Sequence, residues 1–143
     1  MHGRTLHAML LTAVTSTITP ASEADAADPR QPLGLADAER IEFLAEMRQM
    51  LASVQGIVAG IGTEDREAIA AAARLSGNRM ARATPASVRA KLPQAFKEIG
   101  GPTHQLFEEI AIRAETDDMA DLAILTGKTL EQCMMCHAKF RAD

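Results

Sequence analysis

The sequence predicts an all-α protein, a four-helix bundle, on three observations. From about residue 36 onward, apolar residues recur at alternating steps of three and four, the period of helix faces. The chain has no Trp, no Tyr and four Phe, so Ala, Leu, Ile and Met must fill its interior, which suits closely packed helices better than strands. No stretch has strand character. With 143 residues, 47% of them apolar, the chain supports one domain with a real core. Its net charge of −4 argues against a nucleic-acid backbone as its main partner.

The first residues read as a secretory signal peptide, residues 1–26. Arg4 makes a weakly basic start, and "AMLLTAVTSTIT" (Ala8 to Thr19) is a short apolar stretch ended by Pro20. "ASEADAADP" offers small residues at positions −3 and −1, Ala24 and Ala26, of a cleavage near Ala26. The stretch is too short and too rich in Thr to span a bilayer, so no membrane span is expected in the mature chain. Residues 27–35, with two prolines and Gly34, read as an extended lead-in to a domain over 36–143.

The first helix starts at Ala36, with Leu44, Met47, Leu51, Val54, Val58 and Ile61 as its apolar seam and Gly60 and Gly62 as its end. Met50 falls off that seam. Thr63 caps the second helix, with Glu64 and Asp65 in its first turn, and its alanines allow a neighbour close approach. Ala81 to Gly101 reads as one long, partly helical connection, interrupted by Pro93 and closed by Gly100-Gly101-Pro102. The third helix then runs to Glu115, with Leu106, Phe107, Ile110 and Ala114 on one face. Thr116-Asp117-Asp118 starts the fourth after a turn of a residue or two, so these two helices are antiparallel neighbours. The fourth carries the cleanest seam: Met119, Leu122, Thr126, Thr129, Cys133, Cys136 and Phe140.

Both cysteines lie near the end of that fourth helix, in "CMMCH". On a helix, Cys133 and His137 stand one turn apart on one face, with Cys136 three residues from Cys133. Two thiols there can reach the two vinyl groups along one edge of a haem, and the imidazole beside them rises toward the iron. C-x-x-C-H is the signature of covalent haem c attachment, with His137 as proximal iron ligand. A zinc site needs four ligands, and the chain offers Cys133, Cys136, His137 and at most His104. A thioredoxin-type pair needs a helix N-terminus beside a strand. A plain disulfide leaves His137 unexplained.

The tail "CMMCHAKFR" resembles the C-x-x-C-H-x-x-(Phe/Tyr)-(Arg/Lys) ending of the class II c-type cytochromes, the cytochrome c′ family and its low-spin relatives. Gly127 also matches a common family position; Leu130, where a glycine is often found, departs from it. "LPQAFKEIG" and the Phe-containing helix after it resemble the family's third-helix region more loosely. The resemblance is architectural over the mature chain and specific only over its last dozen or so residues. It implies one covalent haem at one end of the bundle, Phe140 packed on haem or imidazole, and Arg141 near that imidazole. The helix dipole alone would also favour Arg141 there. The family often forms dimers through its first helices; the acidic stripe Asp37, Glu39, Glu42 and Glu46 disfavours such a homodimer or steers a basic partner.

The distal side separates two functions. The resemblance implies a first-helix residue there, a Met sulfur in low-spin members and a non-ligating apolar residue in cytochrome c′ itself. Arg40-x-x-x-Leu44 resembles the family's Arg-x-x-x-(Leu/Met) element and puts Leu44 over a five-coordinate iron open to NO or CO. One turn on, Met47 would give a His/Met site suited to electron transfer, although Met on an apolar stripe usually belongs to a core. His104 reads as a surface or supporting group at a helix start. The expectation is a periplasmic electron carrier with redox proteins as partners, and no constellation for an enzyme stands out.

Overall fold

Residues 28–143, which the computed structural model describes, are almost wholly helical. The expected signal peptide and its cleavage site lie outside the described residues. Six helices follow in order: α1 (Asp37–Thr63), α2 (Arg66–Leu75), α3 (Asn78–Ala83), α4 (Ala86–Lys91), α5 (Gln94–Arg113) and α6 (Met119–Lys139). Two short strands, β1 (Gln31–Pro32) and β2 (Phe140–Arg141), pair in parallel and join the two ends of the described chain. The expectation of no strand therefore fails at two short places. No helix among the described residues is long and apolar enough to cross a membrane.

The fold is all-α, and α1, α2, α5 and α6 pack in a ring, each against the next and α6 back against α1. Helices α3 and α4 form the partly helical connection between the second and third helices of the ring. They occupy only the first part of the expected connection, because α5 begins at Gln94 and runs straight through Gly100-Gly101-Pro102. Pro102 removes one helix donor and leaves the Glu98 carbonyl unpaired. Glu98, Gly101 and Pro102 are exposed, so that carbonyl lies on the solvent face, where water can stand in for the missing donor. Ile99 and Thr103 are buried on the opposite face and hold the helix together there, with the Thr103 hydroxyl donating to the Ile99 carbonyl at 2.8 Å.

Helix α1 differs from the expectation in two ways. Its buried face is Phe43, Met50, Ser53, Val54, Ile57 and Gly60, while Leu51 and Val58 are 69% and 54% exposed. The face is rotated because Ser53 and Gly60, which an apolar pattern does not count, belong to it. Met50, expected off the seam, is core. Nor do Gly60 and Gly62 end the helix. A Cβ at Gly60 would stand 2.7 Å from Cγ1 of Ile69, and one at Gly56 would stand 2.7 Å from the Ala72 Cβ. These glycines let α2 press against α1. The helix stops instead where Glu64 turns left-handed at φ 55, and the Asp65 N–H closes on the Gly60 carbonyl at 2.8 Å. Asp65, not Thr63, caps α2 by accepting from the Ala68 N–H at 2.9 Å. The Thr63 hydroxyl donates back to the Ala59 carbonyl.

The seam of α6 is as expected as far as Cys136, with Leu122, Thr126 and Thr129 buried and Leu125 added to them, but Phe140, expected on the helix, lies just past its end in β2, where the backbone turns extended. The two threonine hydroxyls donate to the Leu122 and Leu125 carbonyls at 2.7 and 3.0 Å, so neither is left unsatisfied inside. Asp118 caps α6 through the Asp121 N–H. The turn before it, residues 114–118, is longer than a residue or two.

The interior falls into two clusters. One surrounds Phe107, Ile57, Ile69, Ile110 and Leu122. The other gathers Leu33, Leu35, Phe43, Val88, Leu92, Ile99 and Phe140 around the C-terminal end of α6. Met47 packs against both.

Candidate functional site

Beside the second cluster the ring of helices does not close. Two adjoining cavities of about 430 and 470 Å3 lie between the first half of α1, the first half of α5 and the last turns of α6. Each falls within the range of small-molecule and cofactor sites. Phe43, Leu44, Met47, Phe96, Cys136 and His137 border both, so the two form one cleft with a shared wall. Cys133 borders the larger cavity. All three side chains of the C-x-x-C-H motif therefore come together on the cleft, as their helical spacing requires.

The cleft owes its walls to three of the chain's four phenylalanines. Phe43 on α1 and Phe96 on α5 meet at 5.9 Å between ring centroids, and Phe96 meets Phe140 edge-on at 5.5 Å. Phe140 is 6% exposed. Aromatic rings bridge the diagonal between α1 and α5 at this end, whereas glycine and alanine let the neighbours α1 and α2 approach closely.

Cys133 and Cys136 are free thiols, half-buried. Burial raises both pKa values, and the closeness of Cys133 raises that of Cys136 further. His137 is exposed at the cleft's edge. Among the described residues, no three His, Cys, Asp or Glu side chains converge as a metal-ligating set by themselves. Two thiols and one imidazole beside an apolar cleft instead suit a flat apolar ring held by its edge, with a metal at its centre.

The remaining expected residues are placed as follows. Leu44 and Met47, both half-buried, face the cleft from α1 one turn apart. Arg141 borders the smaller cavity with His137, but its guanidinium is engaged: Nε donates to the Arg30 carbonyl at 3.0 Å, and Nη1 pairs with Asp143. Arg40 borders the same cavity. His104 borders the larger one, and its Nδ1 lies 2.8 Å from the Ser76 carbonyl. Because a carbonyl only accepts, Nδ1 carries the proton. Met134 and Met135 are exposed, as the motif's variable pair.

The acidic stripe on α1 is partly spent inside the molecule. Glu39 pairs with Lys91 and accepts from the Ala36 N–H at 2.8 Å, which holds its carboxyl below the usual range. Glu46 borders the larger cavity, where burial and the nearby Glu42 raise its pKa. This leaves less free charge to steer a partner than the sequence suggests.

Sequence reasoning missed the aromatic wall contributed by Phe43, and it missed Asp28, Arg30 and Leu33, which border the smaller cavity. A signal was present for the last: Leu33 and Leu35 stand two residues apart on either side of Gly34, large apolar residues in a segment read as a mere lead-in. No family model, curated protein or solved structure matches the chain.

Proposed function

We propose that this chain is an exported monohaem c-type cytochrome that carries electrons. The observation that carries the reading is the meeting of Cys133, Cys136 and His137 on one apolar cleft of cofactor size. Cys133 and Cys136 would hold the haem as thioethers, and His137 would be the proximal ligand. When bound, the haem supplies a one-electron iron couple. Phe43, Phe96 and Phe140, which line the cleft, would lower the dielectric around a bound haem and so favour the less charged oxidation state of the iron. Met47, half-buried between the two core clusters, is the distal ligand in this reading. A thioether there would favour electron transfer over the binding of an added ligand. The resemblance of the tail to the class II c-type cytochromes supports the same reading.

A second reading rests on a specific difference between two neighbours. Both border the two cavities, but Met47 also packs on both clusters, whereas Leu44 belongs to neither. With Leu44 over the iron, the haem would be five-coordinate and would bind NO or CO in an apolar pocket.

The test is the visible spectrum of protein expressed with a periplasmic haem-attachment system. A sharp split pair in the reduced protein with little response to CO supports the carrier. A broad high-spin spectrum that changes at once with CO supports the gas-binding reading. Met47→Leu then tests the residue: if the low-spin spectrum survives that substitution, Met47 is not the ligand. Protein without covalent pigment sinks both readings.

A further inference from the structure

The carbonyls of a helix's last turn have no partner within the helix. In α6 that turn contains Cys136 and His137. The Cys136 carbonyl accepts from the Phe140 N–H, where the backbone has already turned extended. The His137 carbonyl accepts from Nη1 of Arg30 at 3.3 Å, across 107 residues of chain. Arg30 is held in turn. Asp28 accepts from its Nη2 at 2.6 Å and from its Nε at 3.0 Å, and its own carbonyl accepts from Nε of Arg141 at 3.0 Å. The Leu33 N–H donates to the Arg141 carbonyl at 3.0 Å, beside the parallel pairing of Gln31 with Phe140 and Pro32 with Arg141. Beneath these links Leu33 and Leu35 are 4% and 9% exposed, in the cluster that holds Phe43 and Phe140. Gly34, at φ +64, makes the bend between the paired strand and Leu35.

We propose that Arg30 is a positioning residue for His137, and that residues 28–35 form a strap fixing the end of the helix that bears it. This rests on the reading of His137 as an iron ligand. The two thioethers hold the ring's edge, but the tilt of the imidazole follows from the backbone at position 137, two residues before α6 ends. Last turns fray when their carbonyls are unpaired. A guanidinium at that carbonyl meets both an unpaired acceptor and the negative end of the helix dipole, so the link is charge-assisted. Groups that orient a ligand in this way tune the metal without touching it. The strap also covers the side of the smaller cavity where Asp28, Arg30 and Leu33 lie.

The experiment compares Arg30→Ala, Arg30→Lys and Asp28→Asn with the unaltered holoprotein. Four quantities are read: the g-values of the oxidised iron, the reduction potential, amide exchange in the last turn of α6, and the melting temperature. Arg30→Ala shifts the g-values and the potential, and speeds exchange at those amides roughly tenfold, the loss of about one hydrogen bond. Arg30→Lys, which keeps a charged donor, restores most of the shift. Asp28→Asn, which loosens Arg30 without deleting it, moves the same readouts less and in the same direction; it serves if the Ala variant does not accumulate. The proposal is overturned if Arg30→Ala lowers the melting temperature but leaves g-values and potential unchanged, or if the Lys variant shifts as far as the Ala variant. Absence of pigment in the unaltered protein sinks the haem reading instead, and amide exchange still reads the strap.

Discussion

The two ends of the bundle are built from different residues and reach opposite outcomes. Around Phe107 the helices meet through glycine, alanine and branched aliphatics, with Gly56 against Ala72 and Gly60 against Ile69. Around Phe96 three rings from α1, α5 and the C-terminal strand meet, and about 430 and 470 Å3 of cavity lie beside them. Close-packed interiors rarely leave such space. The filled end can be stable by itself, while the hollow end needs an occupant or a cover. The residues with the chemistry to fasten an occupant, Cys133, Cys136 and His137, stand on the hollow side alone.

The largest way to break this contrast is to remove both tethers. Cys133→Ala combined with Cys136→Ala is expected to abolish pigment that survives acid extraction. It should also speed amide exchange in the first half of α1 and the last turns of α6, and leave α2 protected. Uniform loss of protection would show that the two ends do not differ. Next comes the filled end: Ile57→Ala, at a fully buried position, should cost about 2–5 kcal/mol by denaturant titration. Gly60→Ala should cost about 1–3 kcal/mol, because its Cβ meets Ile69 side chain and backbone together. In the apoprotein Leu44→Ala should cost about 1 kcal/mol or less, since that side chain already borders open space. A Leu44 variant as damaging as Ile57→Ala would mean that the cleft is packed in solution.

The smallest effect concerns acid. Hydrogen bonds from Arg30 lower the Asp28 carboxyl from its usual 3.8 to about 2. A lowered pKa favours the ionised form in the folded state, so this contribution is complete above about pH 4 and is lost as pH falls through about 2. Carboxyl titration followed by NMR checks it. Asp28 is fully exposed, and salt should weaken the effect.

Much of this was legible in the sequence where the local pattern and the burial coincide. The seam of α6 could be read directly, because its polar members Thr126 and Thr129 satisfy their hydroxyls on the helix's own carbonyls and need no other helix to explain them. The seam of α1 could not. Ser53 is buried because its hydroxyl meets that of Ser76 at 2.8 Å, a partner 23 residues away. Gly60 is buried because Ile69 arrives there. Gly100-Gly101-Pro102 has the composition of a break, yet α5 continues because the buried Ile99 and Thr103 hold it on the opposite face. Local propensity is worth about 1 kcal/mol per glycine and about 3 per proline, and packing over a 20-residue helix exceeds that.

The sequence by itself determined the all-α class, the fourth helix and the chemistry of its end. Spacing along one helix obeys a fixed period, so two thiols and an imidazole written as C-x-x-C-H share a face wherever that helix packs. Only the tertiary structure decided what that face looks onto. The cleft exists because Phe43, Phe96 and Phe140 come from three separate elements, and the carbonyl of His137 is capped by Arg30 from the opposite end of the described chain. Both depend on distances between residues far apart in sequence, which no local period encodes.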